Sequence, residues 1–106
     1  MIPQLGARDL KALLASDAPP LVLDVREPWE WEVGHLAGSR LVPLHTLPGA
    51  VASLDKDAHI VLLCHHGVRS QHAAMFLAQE GFTRLANLAG GIDAWSHDVD
   101  PTVARY

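Results

Sequence analysis

Apolar positions along the chain fall into short blocks whose period switches between the helical and the extended. Leu10, Leu13 and Leu14 recur at helical spacing and predict a helix over Gly6–Ser16, which Pro19-Pro20 stops. Leu21-Val22-Leu23 reads as a short buried strand ending at Asp24. Pro28 suits the first turn of a short helix over Pro28–Val33. Gly34 to Gly38 reads as a turn, Arg40–Val42 as a short strand and Pro48–Leu54 as a weak helix. His59–Cys64 (HIVLLC) is apolar along almost its whole length, as expected of a strand covered on both faces. Ser70–Glu80 reads as a helix closed by Gly81, Arg84–Leu88 as a last strand, and Gly90-Gly91 as the entry to a short helix containing Trp95. Strands alternating with helices predict an α/β fold, a three-layer sandwich with a mainly parallel central β-sheet flanked by helices. In such sheets ligands bind at the carboxyl ends of strands, where Asp24 and Cys64 both fall.

Composition narrows this further. At 106 residues the chain suits one domain spanning 1–106. With 49% hydrophobic and 19% charged residues, it is neither disordered nor low-complexity. A net charge of -4 argues against a general nucleic-acid binder. No apolar run approaches the ~20 residues of a membrane span. Met1-Ile2-Pro3-Gln4 lacks the basic and apolar regions of a signal peptide. The lone cysteine, Cys64, permits no internal disulfide and no cysteine-based zinc cluster, and fits a reducing compartment such as the cytoplasm. Any chemistry of its thiol must be completed by a partner from outside the chain.

The segment Cys64-His65-His66-Gly67-Val68-Arg69-Ser70 joins the buried strand to the following helix. Its backbone N–H groups can line an anion-binding nest, to which the helix N-terminus adds positive potential. Gly67 permits backbone that other residues resist, and Arg69 offers a permanent cation with a fork suited to an oxyanion. His65, His66 and His72 add partial positive charge. Together these favour a thiolate at Cys64. Such a thiolate can attack a sulfane sulfur, a phosphate, an arsenate or a peroxide. The loop of cysteine phosphatases is one residue longer than the four that separate Cys64 from Arg69. The shorter cradle suits a persulfide better than a tetrahedral phosphate.

Three motifs stand in order along the chain: Leu23-Asp24-Val25-Arg26-Glu27-Pro28 with Glu30-Trp31 and Gly34-His35-Leu36-Ala37-Gly38, the loop Cys64–Arg69 with Ser70, and Leu88-Ala89-Gly90-Gly91-Ile92 with Trp95. Together they resemble the rhodanese family of single-domain sulfurtransferases. The resemblance covers nearly the whole chain. It implies a two-step transfer, from thiosulfate or a similar donor onto Cys64 as a persulfide, then to a thiophilic acceptor: cyanide in vitro, a thiol or protein acceptor in the cell. It implies no cofactor, no nucleic acid and no membrane. Two other readings share the same residues: a persulfide relay or interaction module fed by a protein donor, and arsenate reductase or phosphatase chemistry.

The remaining candidates carry modest expectations. His65 and His66 are expected to point away from the cradle and shape its mouth. His65, His66 and His72 lack a recognisable ligand set, so no metal site is expected. His35, His45, His59 and His97 read as structural or surface residues. Asp24 is expected to brace backbone groups, and Arg26 either to support it or to attract anions. Ser70 either caps the helix or turns its hydroxyl to Cys64. Glu30 and Trp31 read as bracing residues, and Trp95 as a packing residue.

Overall fold

The apolar segment before Cys64 becomes the central strand of the sheet. A computed structural model describes all of residues 1–106. The strands are β1 (Gln4–Leu5), β2 (Leu21–Asp24), β3 (Arg40–Leu41), β4 (Ile60–Leu63) and β5 (Leu85–Leu88). They pair in the order β1-β5-β4-β2-β3, every neighbouring pair parallel. The helices are α1 (Ala7–Leu14), α2 (Pro28–Val33), α3 (Leu47–Ala50), α4 (Val68–Gln79) and α5 (Gly91–Asp98).

All four residues of β4 are buried because its alternating side chains feed two cores. Ile60, Leu62 and Cys64 face Ala73, Ala74 and Leu77 of α4, together with Leu47 and Phe82. Val61 and Leu63 face the other way, among Leu10 of α1 and Ile92 and Trp95 of α5. The expected sandwich of helices on both sides of a parallel sheet is therefore present.

Local differences from expectation have identifiable causes. β1 lay outside the expected elements because two residues carry no periodic signal. It exists through pairing: the backbone N–H groups of Asn87 and Ala89 donate to the carbonyls of Pro3 and Leu5. The helix expected over Pro48–Leu54 contracts to α3, with 3-10 turns at Leu44–Thr46 and Val51–Ser53. Its four residues contain both Pro48 and Gly49, which weaken helix propagation. The last strand begins at Leu85 rather than Arg84, and α4 begins at Val68, two residues before the expected start. No helix is long and apolar enough to cross a membrane.

Candidate active site

The loop after β4 brings Cys64 under the start of α4. Cys64 is 1% exposed, and its Sγ receives the backbone N–H of Gly67 at 3.1 Å. Gly67 has φ +109°, a left-handed conformation that costs glycine little and other residues more. That conformation turns the chain into the helix while aiming an amide back at the sulfur. Of the loop's amides, Gly67's is the one that reaches it. Ser70 Oγ lies 3.3 Å from Sγ, so its oxygen faces the cysteine. It makes no side-chain cap at the start of α4.

Asn87, a buried polar residue in β5, accepts the Ser70 hydroxyl through Oδ1. Its Nδ2 donates to Gly67 O at 3.1 Å and to Gln4 Oε1 at 2.9 Å. The sequence pattern did not single Asn87 out. The available signal was one polar side chain inside the otherwise apolar strand Leu85–Leu88.

Arg69 stands differently from the expectation of an open oxyanion fork. Its Nη1 and Nη2 donate to the two carboxylate oxygens of Glu30 at 2.6 and 2.8 Å. Hydrogen bonding to Glu30 raises the Arg69 pKa further above its usual value. Glu30, 3% exposed, also accepts the backbone N–H of Glu27 at 3.0 Å and the hydroxyl of Tyr106. These donors, Arg69 foremost, hold its carboxyl down to about 2 against the opposing effect of burial. The bracing role expected of Glu30 is thus specific: it ties the start of α4 to α2. A continuous run of interactions follows from Arg69 through Glu30 and Tyr106 to Arg26 and Asp24.

Arg26 is fully buried, which favours the supporting alternative over the attraction of anions. Its Nε and Nη2 hold the Asp24 carboxylate at 2.7–3.0 Å. Its remaining donors reach Glu30 O, Gly34 O and Tyr106 Oη. Asp24 also accepts the backbone N–H of Arg26 at 3.1 Å.

His65 is half-buried. Its ring is sandwiched between His66 and Tyr106, with both centroids at 3.9 Å. Burial, then the neighbouring His66, lowers its pKa and favours the neutral ring. His66 and Val68 are exposed at the mouth of the loop. His72 is exposed on α4. The titratable group brought beside the two loop histidines is instead Asp93, whose carboxylate is paired with Arg105.

The N-terminus of α5 closes the site from the other side. Ile92 N and Asp93 N donate to the carbonyls of Cys64 and His65 at 2.8 and 3.2 Å. A Cβ on Gly91 would lie 2.3 Å from His65 O and 2.4 Å from Cys64 O. The closing motif thus packs backbone against backbone at the cysteine.

A parallel sheet with one cysteine at the end of its central strand, held under a helix start, has the layout of a rhodanese-like fold. The family model described as a rhodanese-like domain matches residues 6–98, and the chain belongs to that family. A thiosulfate sulfurtransferase GlpE of Stutzerimonas stutzeri is 37% identical over 81 residues, covering 76% of this chain and 74% of that protein. A sulfurtransferase of Allochromatium vinosum is 34% identical over 104 residues, covering 98% of this chain and 97% of its own. The crystal structure of a rhodanese-like domain protein from Staphylococcus aureus superposes with TM-score 0.86 at 27% identity, over 99% of both chains. The chain is a sulfurtransferase, an enzyme acting between a sulfur donor and a sulfur acceptor.

Proposed function

We propose that the protein moves sulfane sulfur as a persulfide on Cys64, with thiosulfate as a donor. The Cys64 thiolate attacks the outer sulfur of thiosulfate. A new S–S bond forms at Sγ, the S–S bond of the donor breaks, and sulfite leaves with the bonding pair. A thiophilic acceptor then attacks the terminal sulfur and Cys64 leaves as the thiolate. With cyanide the product is thiocyanate; with a thiol it is the acceptor's persulfide. The chain has no second cysteine to resolve the persulfide, so the acceptor comes from outside.

The observation that carries this reading is the pair of groups at Sγ, Gly67 N–H at 3.1 Å and Ser70 Oγ at 3.3 Å. The Gly67 amide can donate to an anionic sulfur and the start of α4 adds its positive end, while Ser70 Oγ, whose proton is held by Asn87, packs against Sγ. In this reading Glu30 holds Arg69 against the loop, and Asp24 and Arg26 brace the neighbouring strand end. His65 and His66 border the donor's approach. A lone thiol used in this way suits a reducing compartment such as the cytoplasm.

The test is intact mass after incubation with thiosulfate without reductant, on the parent and on Cys64→Ser. One added sulfur atom in the parent alone, removed by cyanide, is the expected result. No added sulfur in the parent, or the same addition in Cys64→Ser, refutes the reading.

A further inference from the structure

We propose that Asn87 is a positioning residue for the Cys64 sulfur. A buried carboxamide in a strand interior is unfavourable unless its donors and acceptor are all met. Asn87 meets that condition through the two groups that touch Sγ. Its Oδ1 accepts the hydroxyl of Ser70, whose Oγ sits 3.3 Å from Sγ. Its Nδ2 donates at 3.1 Å to the carbonyl of Gly67, whose N–H reaches Sγ at 3.1 Å. Ser70 and Gly67 belong to the loop and helix that follow the cysteine, while Asn87 belongs to the adjacent strand. One side chain on the rigid sheet therefore fixes both groups beside the sulfur: the Gly67 amide that donates to it, and the Ser70 oxygen, which faces it with its proton held by Asn87.

The orientation of the amide is determined by its surroundings. Nδ2 faces two carbonyl-type oxygens, Gly67 O and Gln4 Oε1, which only a donor satisfies. Gln4 is itself oriented, since its Nε2 donates to Gln71 Oε1 at 2.7 Å. Oδ1 is thereby left for Ser70. Leucine at position 87 has a similar branched shape, though it is larger, and makes neither bond. It leaves the Ser70 rotamer and the left-handed Gly67 turn without their anchor.

The inference rests on Cys64 carrying the transferred sulfur, and its test separates the two ideas. The variants are Asn87→Leu, Ser70→Ala and their combination, with Asn87→Ser carrying the same expectation should the leucine variant not fold. Two rates are followed: sulfur loading from thiosulfate by mass, and alkylation of Cys64 by iodoacetamide, which needs no sulfur donor. Thermal melting reports the fold separately. Asn87→Leu is expected to slow both rates about threefold, because the Gly67 contact loses its anchor while the freed Ser70 hydroxyl can turn its proton to the sulfur in part compensation. In the Ser70→Ala background the same change should cost about tenfold, because no hydroxyl is left to compensate. A merely structural residue lowers the melting temperature and gives the same factor in both backgrounds; that result, or unchanged rates, overturns the proposal. Coupled alkylation in a parent that takes no sulfur from thiosulfate would instead refute the donor reading and leave the positioning role standing.

Discussion

Replacing Glu30 by Gln removes one charge from the junction between α2 and α4 and changes little in shape. The Glu30 carboxyl falls from an ordinary 4.5 to about 2, mainly through Arg69. At about 1.4 kcal/mol per pKa unit, this corresponds to about 3 kcal/mol of folding stability. Arg69's side chain is 35% exposed, so water screens part of the pair, and roughly 2 kcal/mol is expected at neutral pH. The folded-state pKa lies below the unfolded one. The stabilisation is therefore complete above pH 4.5 and is lost as pH falls toward 2. Neutral Gln resembles protonated Glu in turning a hydrogen donor on Arg69, so the variant behaves at every pH as the parent does in acid. Urea unfolding followed by tryptophan fluorescence at neutral pH and at several acid values measures the difference. Carboxylates common to both proteins cancel in the comparison. A gap between parent and Glu30→Gln that stays constant down to pH 2, or no gap at neutral pH, would refute the reasoning.

Two further outcomes follow from the same contacts. Gly91→Ala should destabilise by more than about 2 kcal/mol in denaturant, because its Cβ would meet the Cys64 and His65 carbonyls at 2.3–2.4 Å, and a stability within 0.5 kcal/mol of the parent would contradict that packing. Tyr106 is the one tyrosine, and burial, then its bond to Glu30, push its phenol up to about 12. Ultraviolet titration should show phenolate appearing near that pH instead of near the usual 10, with the associated stability intact below 10 and lost as pH rises toward 12; an ordinary midpoint in folded protein would exclude the buried bond.

The fold was legible where one segment holds its own signal. His59–Cys64 announces a doubly covered strand because both of its faces are apolar, and that strand organises the sheet. The cradle at Cys64 was legible because the loop is contiguous and Gly67 marks its left-handed turn. What the sequence concealed joins distant positions. Arg69 and Glu30 are 39 residues apart, Ser70 and Asn87 are 17, and Tyr106 and Glu30 are 76. A cation five residues beyond the cysteine reads as an open anion clamp until the folded chain supplies a buried carboxylate. Sequence leaves the role of Arg26 open between two alternatives for the same reason: its five side-chain bonds to Asp24, Glu30 and Tyr106, and a sixth to Gly34, depend on how the strand end, α2 and the tail come together. His65 stacks on the ring of Tyr106, and local sequence carries no trace of that partner.

The pairing of Arg69 changes what its removal should do. A cation that clamps donor oxygens acts on an anionic donor alone. Its loss then raises KM for thiosulfate and leaves alkylation by neutral iodoacetamide unchanged. A cation that braces the loop acts on the sulfur's surroundings whatever reagent approaches. With both Nη groups on Glu30, the second pattern is expected of Arg69→Ala: slower alkylation as well as slower loading, together with a stability loss of roughly 2 kcal/mol from the buried carboxylate left without its partner. Glu30→Gln should reproduce the kinetic pattern although Arg69 remains charged. Arg69→Lys should recover only part of it, since an ammonium is a point charge and cannot span both carboxylate oxygens with a planar fork. A raised KM for thiosulfate in Arg69→Ala, beside parental alkylation and parental behaviour of Glu30→Gln, would show that the fork leaves Glu30 to meet the donor. The helix start and the Gly67 amide would then share the anion with a mobile arginine.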